Sequence, residues 1–120
     1  MTPVEFLQAR LVEDELTALA AVDGSSRWRT SYHYRDVKDE HGRYVVQADS
    51  RHPSVEQAAH IARQCPARVL AEVEAKRLVI ADYLRLDAAG DVLARGIVED
   101  VLRGLCSAYS EHPDYNTSWS

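Results

Sequence analysis

The sequence predicts an α+β fold that is mostly helical, with about four helices packed against one β-hairpin. Apolar residues recur at helical spacing over most of the chain, whereas one stretch near the middle alternates between polar and apolar residues with a period of two. Clusters of Gly, Ser, Asp and Pro separate these segments and are typical of turns. The length of 120 residues fits a single domain over residues 1–120.

The first helix is predicted over residues 2–22. It opens with the sequence TPVE at residues 2–5, a capping box with proline at the first helical position, where no N–H is needed. Leu7 and Leu11 then lie on one face at helical spacing. The turn residues Asp23-Gly24 end this helix.

A β-hairpin is predicted over residues 27–49. Aromatic and apolar residues alternate with basic ones along RWRTSYHYR at residues 27–35, and DEHG at residues 39–42 suits a turn with a glycine bulge. This turn sets a register that pairs Val37 with Val45. One face then holds an aromatic set that is expected to pack on helices: Tyr32, Tyr34, Tyr44 and Val46.

Three further helices complete the predicted fold. A short helix over residues 54–63 begins at the cap Ser54, and the longest helix follows over residues 66–86. The last helix spans residues 91–109 and is followed by a polar, aromatic tail over residues 110–120.

Composition excludes several classes of function. The net charge of −5 disfavours general affinity for nucleic acid, which depends on neutralising phosphates with Lys and Arg. A cytoplasmic protein is expected, because neither a signal-peptide pattern nor a long apolar run is present. The five histidines and two cysteines show no ligand spacing such as HExxH or CxxC, so neither a metal nor another cofactor is predicted.

The segment HIARQCPARVLAEVEAKR at residues 60–77 carries the most suggestive chemistry. Pro66 disfavours a continuous helix through Cys65 and is itself a good first helical residue, so this segment is a corner between two helices. Cys65 would then sit at a helix N-terminus, which lowers the pKa of a thiol. Cys65 is either a nucleophile with His60 or another histidine as base, or a small residue at a helix junction.

The segments HIAR-x-x-PARVL and EAKR, with Tyr109, HPDY at residues 112–115 and Trp119, resemble an uncharacterised family of small actinobacterial and actinophage proteins. The resemblance covers most of the chain and implies no particular activity. The family pattern carries aspartate at the position of Cys65. Since aspartate is a good N-cap, the resemblance implies a capping role at this position.

A cationic face of the hairpin is the best candidate for a contact surface. In the predicted register, four side chains project from the face opposite the aromatic residues: Arg29, His33, Arg35 and Arg43. Arginine suits recognition of carboxylates and phosphates because its guanidinium forms paired hydrogen bonds. The aromatic tail with Trp119 is a second candidate, through packing on its own core or insertion into a partner.

The leading hypothesis is a small non-enzymatic interaction or accessory protein that contacts a protein partner through the cationic face, the tail or both. The alternative is a small metal-dependent or Cys/His enzyme that uses His60, Cys65 and His112. A third hypothesis is a weak nucleic-acid-binding module. A homodimer is compatible with all three, although no sequence feature demands one.

Overall fold

The computed structural model describes residues 1–31 and 34–120, and this part of the chain forms four α-helices, three β-strands and one short 3-10 helix. In chain order they are α1 (Pro3–Ala20), β1 (Trp28–Thr30), β2 (Val37–Asp39), β3 (Tyr44–Val46), α2 (Val55–Arg63), α3 (Pro66–Ala88), α4 (Val92–Ser107) and the 3-10 helix (Thr117–Trp119). The fold is α+β and mostly helical, as predicted.

Helix ends follow the capping residues in the sequence. Thr2 Oγ1 accepts a hydrogen bond from the N–H of Glu5 at 3.1 Å, which satisfies one of the free donors at the start of α1. Ser54 and Gln57 form a full capping box on α2. Asp91 accepts from the N–H of Ala94 at 3.2 Å at the start of α4. Among the described residues, no helix is both long and apolar enough to cross a membrane.

The chain divides into two compact units. The first unit contains residues 1–13 and 72–120, and the second contains residues 14–71. Apolar side chains of the first unit that are almost fully buried are Phe6, Leu7, Leu11, Val73, Ile80, Leu102 and Cys106. Leu84, four residues after the buried Ile80 on α3, is 47% exposed. The sequence patterns missed Phe6, which is fully buried.

The second unit holds an antiparallel sheet of order β1-β2-β3, and α2 packs against β1 and β2. The expectation of a single two-stranded hairpin over residues 27–49 is therefore wrong. A second turn breaks the predicted first strand, because Ser31 N–H donates to the carbonyl of Asp36 at 3.0 Å and Tyr34 N–H donates to the carbonyl of Ser31 at 2.8 Å. Tyr34 adopts a positive φ of 63°, which is incompatible with an extended strand.

The register between β2 and β3 departs from the predicted one at a bulge. Lys38 lies opposite Tyr44, as the predicted register implies, but Val37 lies opposite Val46 and not Val45. The extra residue in β3 is typical of a β-bulge. The expected burial of the aromatic face is also wrong, since Tyr34 and Tyr44 are 63% and 53% exposed. The turn removes Tyr34 from the strand, and α2 packs against β1 and β2, so neither tyrosine is covered.

The turn between β2 and β3 is built around the buried carboxylate of Asp39, which is 1% exposed. One oxygen, Oδ1, accepts hydrogen bonds from the N–H groups of His41 at 2.9 Å and Arg43 at 3.0 Å. Burial raises the pKa of Asp39, but these donors and the nearby charges of His41 and Arg43 outweigh it and hold the pKa below its ordinary value. Gly24 lies against the other oxygen with φ at 111°.

Replacement of Gly24 by alanine is expected to destabilise the protein by about 1–3 kcal/mol, because φ near 111° is strained for any side chain and a Cβ would lie 2.9 Å from Asp39 Oδ2. Urea denaturation measures the change in the free energy of unfolding. The control is Gly96→Ala in α4, where a Cβ meets nothing within 4 Å. This control should stabilise the protein by about 0.5–1 kcal/mol. Equal effects of the two substitutions would contradict the role of Gly24.

Replacement of Asp39 by asparagine is expected to destabilise the protein at neutral pH and to remove part of its acid sensitivity. Because the folded-state pKa of Asp39 lies below 3.8, its ionic contribution is complete above pH 3.8 and is lost as the pH falls through the lower, folded-state value. Urea denaturation from pH 7 to about pH 2.5 measures the free energy of unfolding of the native protein and of the Asp39→Asn variant. The difference between these two free energies should become smaller as the pH falls. Asp100→Asn, at an exposed position on α4, controls for a general loss of negative charge.

Candidate functional site

A row of three side chains, two of them cationic, crosses the sheet in the second unit. Arg29 of β1 lies directly opposite Lys38 of β2, and Lys38 lies opposite Tyr44 of β3. The Lys38 Nζ atom is 4.6 Å from the centroid of the Tyr44 ring, a cation–π contact. Arg29 and Tyr44 are exposed, and Lys38 is half-buried. We call these three residues the cationic row.

The cationic row brings two like charges together. Directly opposite residues on antiparallel strands have Cβ atoms about 4.5–5.5 Å apart, and like charges at that distance are destabilising. Among the described residues, neither Arg29 nor Lys38 forms an ion pair with an acidic side chain. An acidic group from outside the chain would relieve this repulsion.

The other predicted members of the cationic face have different surroundings. Arg35 Nε donates to the carbonyl oxygen of Pro53 at 3.0 Å, and Arg35 Nη2 donates to the carbonyl oxygen of Asp49. Arg35 therefore holds the loop before α2. Arg43 is exposed, with Nη1 3.7 Å from a carboxylate oxygen of Asp23. His33 lies outside the described residues.

Sequence analysis missed Lys38 and Tyr44 as members of this surface. Their pairing was implied by the hairpin register, but Tyr44 was assigned to a buried aromatic face. The proximity of Arg29 to Lys38 depends on the reversal of the chain between Ser31 and Asp36, whose backbone hydrogen bond pairs the ends of β1 and β2. The alternating pattern over residues 27–35 gave no sign of that reversal.

The aromatic tail packs on its own unit. The ring of Trp119 lies with its centroid 5.2 Å from that of Phe6 and 5.6 Å from that of Tyr115. Edge-to-face contacts also join Phe6 to Tyr115 at 5.8 Å and to His112 at 5.8 Å. Trp119 is consequently half-buried against the first helix and contributes to the core of the first unit.

His112 fixes the start of this tail. Its Nδ1 atom lies 2.7 Å from Nη1 of Arg10 and accepts a hydrogen bond from the N–H of Asp114 at 3.0 Å. Arg10 is almost fully buried, with its guanidinium 5.0 Å from the centroid of the Phe6 ring and 3.0 Å from the carboxylate of Glu13. The Nδ1 atom of His112 is thus already occupied by the hydrogen bonds that hold the tail.

Cys65 occupies the corner that the sequence predicted, immediately before α3. Burial raises the pKa of its thiol, but the backbone N–H groups of Trp28, Arg68 and Ala67 outweigh this effect and lower the pKa below its ordinary value. N–H donors at a helix N-terminus would likewise form hydrogen bonds to the oxygen of a capping side chain. The geometry of Cys65 fits the capping interpretation.

His60 is exposed on α2 in the same unit. Among the described residues, no group of three or more His, Cys, Asp and Glu side chains is arranged so that it could hold a metal ion.

An open groove of about 800 Å³ lies beside α2 in the second unit. Val46, Pro53 and Ile61 provide apolar walls. Polar groups along the groove come from Gln47, Asp49, His52, Glu56, Gln57 and His60. The lining therefore includes two carboxylates and no Lys or Arg.

The outer face of α4, in the first unit, is unusually apolar. Leu93 is 80% exposed, Ile97 is 63% exposed and Val101 is 49% exposed, at a spacing of four residues. The opposite face of the same helix is buried through Leu102 and Cys106. Consecutive exposed apolar residues on one helix face are uncommon outside contact surfaces.

The sequence matches a family of unknown function, DUF6221, over residues 1–120. The chain belongs to this family. No curated protein and no solved structure matches the sequence. Family membership accounts for the whole chain and gives no activity for it.

Alkylation of the native protein with iodoacetamide is expected to modify Cys65 and to spare Cys106. The thiol of Cys65 is half-buried with a lowered pKa, whereas Cys106 is fully buried and its pKa is raised by that burial. Peptide mass spectrometry after timed quenching measures both reactions. In urea the two rates should converge, and similar rates in the native protein would contradict this assignment.

Proposed function

We propose that this chain is a non-enzymatic interaction protein that contacts an acidic protein partner through its cationic row. The observation that carries the proposal is the pairing of Arg29 with Lys38 across β1 and β2. This pairing is expected to cost the free protein stability, since like charges on directly opposite strand residues repel. Surface residues that lower the stability of the free protein are typical of a binding site, because such residues are kept for function.

The side chain of Tyr44 supports the same surface. It extends the row onto β3 and leaves 53% of its area exposed beside the ammonium group of Lys38. An aromatic ring with a polar edge next to a lysine, with an arginine on the neighbouring strand, suits a protein interface, in which Tyr and Arg are enriched. Carboxylates of the partner would pair with the two cations.

A protein partner is favoured over nucleic acid because the chain carries 19 acidic and 14 basic residues. A net charge of −5 repels a polyphosphate, whereas a short acidic segment of a protein need only meet the local positive charge of the sheet. The proposal places the protein in the cytoplasm and in a family of actinobacterial and actinophage proteins. Both statements rest on the sequence patterns described above.

The substitution Arg29→Glu separates function from stability. It places a carboxylate opposite the ammonium group of Lys38, so the free energy of unfolding should rise by about 0.5 kcal/mol while binding of the partner is lost. Affinity capture from cells of the native host, followed by isothermal titration with the purified partner, measures binding. Urea denaturation measures stability.

The control is Arg85→Glu, the same change at an exposed position on α3. It should leave partner binding intact. Unchanged binding by the Arg29→Glu protein would refute the proposed surface. A fluorescent DNA duplex provides a second test. If the protein binds it with an affinity that falls steeply with salt, and Arg29→Glu abolishes this binding, the partner of the cationic row is nucleic acid and not a protein.

A further inference from the structure

The groove beside α2 is a second contact surface with the opposite charge. We infer that it binds an extended peptide segment in which an apolar side chain is flanked by Lys or Arg. The inference goes beyond the proposed function, because the groove and the cationic row share no residue. Either surface can fail its test without affecting the other.

The walls of the groove are held in place by hydrogen bonds. Asp49 Oδ1 accepts from the N–H groups of Arg51 and His52, both at 2.7 Å, and Arg35 holds the carbonyl oxygens at both ends of the loop, those of Asp49 and Pro53. The start of α2 is fixed by its capping box. A site that is already ordered loses little conformational entropy when a ligand binds.

Several polar groups along the groove remain available to a ligand. Among the described residues, the side chains of His52, Glu56 and His60 form no hydrogen bond and no ion pair. Glu56 and His60 are four residues apart on α2, so they lie on the same side of that helix. They can therefore contact one ligand together.

Charge complementarity selects the ligand. Asp49 and Glu56 are the carboxylates of the lining, which contains no Lys or Arg, although Arg35 outside the lining and His52 within it act on the charge of Asp49. Hydrogen bonds from the N–H groups of Arg51 and His52 are the largest causes that lower the pKa of Asp49, so this carboxylate is ionised at neutral pH. A Lys or Arg side chain would pair with these carboxylates, while an apolar side chain contacts Val46, Pro53 and Ile61.

The shape of the groove favours a peptide over a small molecule. Enclosed pockets bury most of the surface of a small ligand, whereas this groove is open along one side. An extended segment can lay alternate side chains into such a groove and leave the others in water. The occupant is therefore a cationic, partly apolar segment of a protein.

The test uses three synthetic peptides, acetylated and amidated at their ends, with the sequences Lys-Val-Leu-Lys, Glu-Val-Leu-Glu and Lys-Ser-Ser-Lys. Each is titrated into the full-length, isotope-labelled protein and followed by NMR. The basic apolar peptide should shift the resonances of Val46, His52, Glu56, His60 and Ile61. The acidic and the polar peptides should bind at least about fivefold more weakly, the effect of losing one exposed charge pair or a comparable apolar contact.

Two variants test the carboxylate of Glu56 directly. Glu56→Lys should weaken binding of the basic apolar peptide about fivefold and improve that of the acidic one. Glu56→Gln should show a smaller loss of affinity, and it keeps the result interpretable if the charge reversal disturbs the start of α2. The control is Glu111→Lys, an equal charge change at an exposed position outside the groove, which should leave binding unchanged.

Several results with the peptides would overturn the inference. They are equal affinity for the basic and acidic peptides, equal affinity for the apolar and polar peptides, shifts confined to residues outside the groove, and absence of binding at millimolar peptide. Shifts of the groove resonances that depend on protein concentration alone would also overturn it, because the occupant would then be a second copy of this chain.

Discussion

The carboxylate of Asp39 is the constraint on which the sheet depends. A buried ionised group is costly unless it is hydrogen-bonded, and Asp39 meets this condition by accepting from two N–H groups of its own turn. This turn fixes where β3 starts relative to β2, and so it sets how the two strands pair in the sheet. Gly24 completes the arrangement, because the chain leaving α1 passes so close to the carboxylate that no side chain fits there. One acidic residue thereby organises three separate segments of the second unit.

The surfaces of the second unit follow from this arrangement. With β2 in the centre of the sheet, Lys38 has a neighbour on each side, Arg29 on β1 and Tyr44 on β3. Arg35 lies just before β2 and holds the loop that shapes the groove. Arginines that looked equivalent in the sequence thus have two kinds of role. One is exposed at a contact surface and the other is bound to backbone carbonyl groups.

The segment around Cys65 shows how a reactive pattern can serve a structural purpose. Backbone N–H groups from β1 and from the start of α3 act on the thiol of Cys65 and lower its pKa. The same donors that would activate a nucleophile also stabilise a helix start. A nucleophilic role would additionally require a base and a group that positions it. The Nδ1 atom of His112 is already occupied by Arg10 and by the N–H of Asp114.

Much of the fold could be predicted because helices are specified locally. Caps such as Thr2, Ser54 and Asp91 lie within three residues of the groups that they satisfy, so short sequence patterns identify them. The candidate site was predicted only in part. Arg29 was identified from strand alternation, whereas Lys38 and Tyr44 were missed and Arg35 was assigned to the surface. The pairing of Arg29 with Lys38 depends on the turn after Ser31, and the contacts of Arg35 depend on the loop before α2, and strand alternation reveals neither.

The sequence by itself determined the fold class, the helices with their caps, the corner at Pro66 and the turn at residues 39–42. Each of these depends on interactions between residues that are close along the chain. Tertiary structure alone decided that β1 pairs with β2, that Phe6 receives the aromatic tail, and that Arg29 faces Lys38. Some of these features bring together residues from opposite ends of the chain, as in the contact between Phe6 and Trp119. Local patterns carry no information about such contacts, because they are set by packing.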